Sequence, residues 1–112
     1  MRTTIVFSAA ILAAVLQPVA GNVGASAWSG SACSGLEVGS VEVANNFDGL
    51  SNAEATPNAA CVHFDTRIPA NCDVYLCEDA ACNDQGRTVA GPQAANTKLT
   101  HNFAGMQIGC QQ

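Results

Sequence analysis

Six cysteines in a chain of 112 residues, with none before Cys33, constrain the fold more than any other feature. Half of them fall in one short stretch, Cys72-Asp73-Val74-Tyr75-Leu76-Cys77-Glu78-Asp79-Ala80-Ala81-Cys82. Its middle, Asp73-Val74-Tyr75-Leu76, carries the β-branched and aromatic residues that suit a pleated, half-buried surface, and it is predicted as a strand. The acidic pair Glu78-Asp79 then turns the chain, and Asn83-Asp84-Gln85-Gly86 turns it again. A strand with a cysteine at its start, at its end and in its following loop reads as the spine of a small fold held by disulfides.

The N-terminus supplies a reason for those cysteines to be oxidised. Met1-Arg2 is a short positive region and residues 5–16 are an apolar run of alanine, isoleucine, leucine and valine. Small-residue cleavage sites follow, after Val19-Ala20-Gly21 or after Ala25-Ser26-Ala27. The expected organisation is a signal peptide over 1–21, or 1–27 if the second site is used, and one disulfide-rich β domain over 28–112. The apolar run is short of the roughly 20 residues that span a bilayer. A secreted, extracellular protein is therefore expected, with an even number of cysteines forming three bridges of about 2–4 kcal/mol each. A mature chain of roughly 90 residues buries only about 60–65% of its unfolded surface, so those bridges matter to stability.

Spacing alone allows fifteen connectivities. Strand parity suggests one of them. Cys72 and Cys110 are both in phase with apolar neighbours, so both could point inward and join; Cys77 and Cys82 flank a short turn; Cys33 and Cys61 remain. The other pairings stay open on spacing alone.

Along the chain, Trp28 to Gly35 is rich in glycine and serine, with Trp28 either a binding residue or a ring laid over the edge of the core. Leu36 and Val38 alternate with Glu37, and Val41 and Val43 with Glu42; the phase slips at Gly39-Ser40, which predicts a β-bulge or a bend. Asn45 to Gly49 is dense in turn formers. Residues 50–60, with Pro57, are expected to be an exposed loop, with room for one helical turn over 51–55. Cys61 to Asp65 reads as a strand with Val62 and Phe64 inward. In the spine strand Cys72, Val74 and Leu76 share one face, and Asp73, Tyr75 and Cys77 the other. Arg87-Thr88-Val89 is a short strand, and the end is read as two pieces, Leu99 to Phe103 and Met106 to Cys110. No helical periodicity is sustained anywhere, so the fold class is all-β.

The charge excludes several functions. With Arg2 removed, nine carboxylates face Arg67, Arg87 and Lys98, a net charge near −6. Nucleic acid and anionic membranes both demand a basic patch, and neither is an expected partner. Cys72, Cys77 and Cys82, with His63 and His101, are spaced more widely than zinc ligands prefer, and the cysteines are assigned to disulfides, with no metal and no cofactor. Asn45, Asn46, Asp48, Asp79, Asn83 and Asp84 offer oxygens for a hard cation but follow no EF-hand spacing, and they are read as turn formers. His63, Asp65 and some serine could be assembled on paper into a catalytic triad, without any nucleophile-elbow motif to support it. Glu78-Asp79 as an acid/base pair would need a deep cleft that so short a chain rarely forms. No catalytic residue is assigned and the chain is read as a non-enzyme.

Val74-Tyr75-Leu76-Cys77-Glu78-Asp79, followed by Asn83-Asp84-Gln85-Gly86-Arg87, resembles the first strand and folded turn of a β/γ-crystallin Greek key. Residues 103–110, Phe-Ala-Gly-Met-Gln-Ile-Gly-Cys, are similar to that motif's last strand. The Trp28 to Gly35 start, the central cysteine-framed strand and the terminal Cys110 together resemble small cysteine-rich proteins secreted by filamentous fungi. The resemblance implies a Greek-key β-sandwich and an effector released into the plant apoplast. Such a protein binds a host extracellular protein or cell-wall component, acts as a monomer, and in some hosts triggers receptor-dependent cell death. The turn over 78–86 is longer than a crystallin's and carries Cys82, and the crystallin calcium pattern is not reproduced, so calcium is not implied. The alternatives are a killer-type or antimicrobial toxin, which the acidic charge disfavours, and a structural protein of the fungal wall.

Overall fold

Seven strands build residues 21–112, the part of the chain that the computed structural model describes. Residues 1–20, and with them most of the expected signal segment, lie outside that range. The strands are β1 (Val23–Trp28), β2 (Glu37–Val43), β3 (Gly49–Leu50), β4 (Glu54–Phe64), β5 (Cys72–Cys77), β6 (Arg87–Ala90) and β7 (Lys98–Cys110). They form one antiparallel sheet in the order β2-β1-β4-β7-β5-β6, with β3 added to the free end of β7. No helix occurs among the described residues, so the all-β expectation holds.

The sheet curls until its own ends meet. Strand β2 is bonded only to β1, yet it packs across onto β4 and β7. Gly39 marks the point of closest approach: a Cβ there would sit 2.8 Å from the Ala55 carbonyl oxygen and 2.9 Å from Thr56 Cγ2. Only a residue without a side chain lets the two backbones come so near. The expected slip in β2 is present one residue away, because Ala27 faces Gly39 and Trp28 faces Glu37, which leaves Val38 as the extra residue of a bulge.

Inside the curl alternate residues of β1, β2, β4, β5 and β7 make one core. Ala25 and Ala27 of β1, Val62 and Phe64 of β4, Val74 and Leu76 of β5, and Met106 and Ile108 of β7 are all fully buried, and Ile68 closes the end. The bridges tie this core at three places. Cys72 and Cys110 are register partners on β5 and β7, with Cα atoms 4.1 Å apart. Cys33 holds the segment after β1 to Cys61 of β4, and Cys77 closes the turn to Cys82.

Three expectations are corrected. Residues 50–60 are not an exposed loop with a helical turn; most of them belong to β4, which begins at Glu54. Alanine, asparagine and proline favour strands weakly, but here β7 supplies ladder partners for Glu54, Ala55 and Ala59 while Gly39 of β2 lies close against Ala55 and Thr56, and these contacts override propensity. The weak residues are placed where the ladder breaks: between Ala55 and Ala59 the register shifts, with Pro57 in the gap and Asn58 at φ 59°. The C-terminal segment is one long strand rather than two pieces. It pairs with β4 through its first part and with β5 through its last, and the inward phase changes between Phe103 and Met106. Finally, β1 starts at Val23, so the β domain includes residues that a boundary at 28 leaves out.

Candidate binding groove

The pleat of β5 sends Cys72, Val74 and Leu76 into the core, and so turns Asp73 and Tyr75 to the outer face. Across the ladder, Asp73 faces Gly109 of β7 and Tyr75 faces Gln107. Gly109 decides what the tyrosine does. A Cβ at that position would lie 3.0 Å from Tyr75 Cε2 and 3.4 Å from its hydroxyl oxygen, so the far edge of the ring lies over the glycine, along the sheet. The same Cβ would be 3.4 Å from Leu50 Cδ1, because β3 sets Leu50 opposite Gly109 on the other side of β7. Leu50 is 51% exposed. Around this apolar floor stand Asp48, Asn71, Gln85 and Gln111, lining an open groove of about 600 Å³.

Among the described residues no lysine, arginine or histidine lines the groove. The phenol of Tyr75 is held above its ordinary pKa of 10.0, first by burial and then by the charge and acceptor oxygens of the adjacent Asp73 carboxylate. A group whose pKa is raised on folding contributes stability that is intact below its unfolded value and lost as pH rises through the folded one. Tyr75 is the only tyrosine in the chain, so an ultraviolet titration reads it alone. Its midpoint is expected above 10.0 in the native protein and lower in Asp73→Asn; a native midpoint at or below 10.0 contradicts this arrangement.

One wall of the groove leads into the turn over 78–86. The Cys77–Cys82 bridge closes it, and the Asp79 carboxylate fills it, accepting the backbone N–H groups of Asp84 at 2.9 Å and Asn83 at 3.2 Å. Those bonds, that from Asp84 foremost, hold the Asp79 carboxyl below the usual carboxylate range. An oxygen donor that the sequence offered to a cation thus caps backbone donors within its own loop. Asp48, another, accepts the N–H of Gln112 at 3.0 Å.

A second polar cluster lies on the outer face of β1 and β4. Trp28 Nε1 donates to Ser26 Oγ at 3.0 Å, Ser26 Oγ donates to Asp65 Oδ1 at 2.8 Å, and the same oxygen lies 2.6 Å from His63 Nδ1. Serine, histidine and aspartate do come together, but the carboxylate stands in the middle. A catalytic triad needs the imidazole between the other two, where it can take the serine's proton. Here the Ser26 hydroxyl donates its hydrogen bond to a carboxylate rather than to the imidazole and is 3% exposed, so the cluster knits β1 to the segment after β4. Trp28 is half-buried at its end. The cysteines considered as metal ligands are dispersed among the bridges: Cys72 with Cys110, Cys77 with Cys82, and Cys33 with Cys61. His101 lies elsewhere on β7, half-buried, with no hydrogen-bond partner for its Nε2 among the described residues.

The groove draws Asp48, Gly49 and Leu50 from the stretch over 45–60 and Gln85 from the turn over 78–86, but Asp73 and Tyr75 of β5 were not read from the sequence as part of a site. The available signal was the outward parity of Asp73 and Tyr75. Comparison of the chain with family models, with curated proteins and with solved structures finds no match.

Proposed function

We propose that this chain is an exported binding protein that works outside the cell, as an apoplastic effector of a fungus acting on a plant host. Export is supported by the positive start and apolar run of residues 1–16 and by an oxidised state of all six cysteines. The observation that carries binding is the groove over Tyr75: open along its length, floored by an aromatic ring and Leu50, and rimmed by carboxylates and amides. Its target is a host extracellular protein or cell-wall component. The three bridges serve persistence among host proteases, since cross-links limit the local opening that cleavage requires. The Greek-key sandwich of crystallin type belongs to the same proposal. It rests on the likeness of residues 74–87 and 103–110 and is open to test by a structure determined in solution.

The test is infiltration of the mature protein into leaves of many plant genotypes, once oxidised and once reduced and alkylated. Cell death in some genotypes only, and only with the oxidised form, is the expected result. Death in every genotype indicates a general toxin instead. Silence everywhere, combined with tight retention in the fungal wall fraction, indicates a wall component.

A further inference from the structure

The effector reading leaves the chemistry of the ligand undefined, and the groove over Tyr75 supplies it. We infer that this groove takes an oligosaccharide of pyranose rings that carry no acidic group, which deepens the binding part of that reading and rests on it.

Three features point to that class. The Tyr75 ring lies along the sheet rather than standing from it, because Gly109 beneath it has no side chain. A ring laid flat and half exposed offers a face, and the axial C–H face of a pyranose is the hydroxylated ligand surface that matches one. The rim is built of acceptors and two-way groups: Asp48 and Asp73 accept only, whereas the amides of Asn71, Gln85 and Gln111 both donate and accept. Sugar hydroxyls donate to the first and exchange bonds with the second, and hydrogen bonds to a carboxylate are the stronger kind. Third, two carboxylates with no cation among the lining residues repel uronic acids and sulfated sugars. An open groove of about 600 Å³ suits a chain of rings that continues past both ends more than it suits an enclosed small molecule.

A tyrosine lying over a glycine also fills a gap in a sheet, so the experiment must separate packing from recognition. Calorimetric titration of the oxidised protein would use a β-linked glucose oligomer, a β-linked N-acetylglucosamine oligomer, a galacturonic acid oligomer and a lysine oligomer. Binding of at least one of the first two, unchanged by added salt, is expected, with no binding of the uronic acid. Tyr75→Phe keeps the ring and should bind within a few-fold of the native protein. Tyr75→Ala should weaken binding about tenfold or more, and Asp48→Asn, at an exposed rim position, about tenfold. The near-ultraviolet dichroism of Trp28, which does not line the groove, reports whether each variant is folded. Failure of both non-acidic oligomers at millimolar concentration overturns the inference. So does equal binding of the uronic acid, salt-sensitive binding of the lysine oligomer alone, or binding that Asp48→Asn and a folded Tyr75→Ala leave intact. Genotype-specific cell death without sugar binding would sink this inference and leave the effector reading standing; sugar binding without any leaf response would do the reverse.

Discussion

A chain that begins at Trp28 will not fold, whereas one that begins at Asn22 will form the native protein with three bridges. The difference is β1, which is not an edge strand: it lies between β2 and β4 and is hydrogen-bonded to both. Removing residues 22–27 would expose the inner faces of Val41, Val43, Val62 and Phe64, which Val23, Ala25 and Ala27 help to cover. It would also strand partners beyond the ladder. The Gly24 carbonyl accepts the N–H of Asp65 at 3.0 Å, and Ser26 holds the Asp65 carboxylate. Burial of Val23 contributes about 1.5–3 kcal/mol. Each lost hydrogen bond costs about 0.5–1.5 kcal/mol. Against a total stability of about 5–15 kcal/mol for a domain, losing a doubly paired strand is decisive. The check is thermal unfolding of the two chains after oxidation, with a mass measurement of the exported protein's N-terminus. A cooperative transition from the shorter chain would refute the assignment of β1 to the domain. For the same reason the export proposal puts signal cleavage at Gly21 rather than at Ala27.

The second large effect comes from the Cys72–Cys110 bridge. It spans 38 residues, against 28 for Cys33–Cys61 and 5 for Cys77–Cys82. In the chain-entropy account a cross-link stabilises by restricting the unfolded chain, and the restriction grows with the logarithm of the loop. Opening Cys72–Cys110 is expected to cost about 4 kcal/mol and opening Cys77–Cys82 about 2 kcal/mol. The long bridge also joins two buried residues at the point where β5, β7 and β3 meet, so its loss loosens the floor of the groove as well. Denaturant unfolding of the Cys72→Ala/Cys110→Ala and Cys77→Ala/Cys82→Ala double variants measures both. Equal losses, or a larger loss from the short loop, would show that strain or residual structure outweighs loop length.

Much of this architecture was legible residue by residue. Alternation in 72–77 and 61–65 placed Val74, Leu76, Val62 and Phe64 inward, and they are fully buried. The phase slip near Gly39 announced the bulge at Val38. The stretch 54–60 was not legible, since its alanines, Asn58 and Pro57 carry little strand preference and the stretch is held in the sheet by β7. Nor was the continuity of β7, where Gly105 lets the carbonyls of Asp79 and Ala80 lie against the strand.

By itself, then, the sequence determined the all-β class, the inward face of each strongly patterned strand, and an acidic, cysteine-rich composition. These are properties of composition or of alternation with period two, which each segment carries locally. Only the tertiary structure decided that Tyr75 would lie across Gly109 beside Leu50, or that Asp65 would stand between Ser26 and His63. Those meetings depend on register between strands far apart in the chain. A shift of one residue would send every side chain to the other face, and local pattern does not specify which residue faces which.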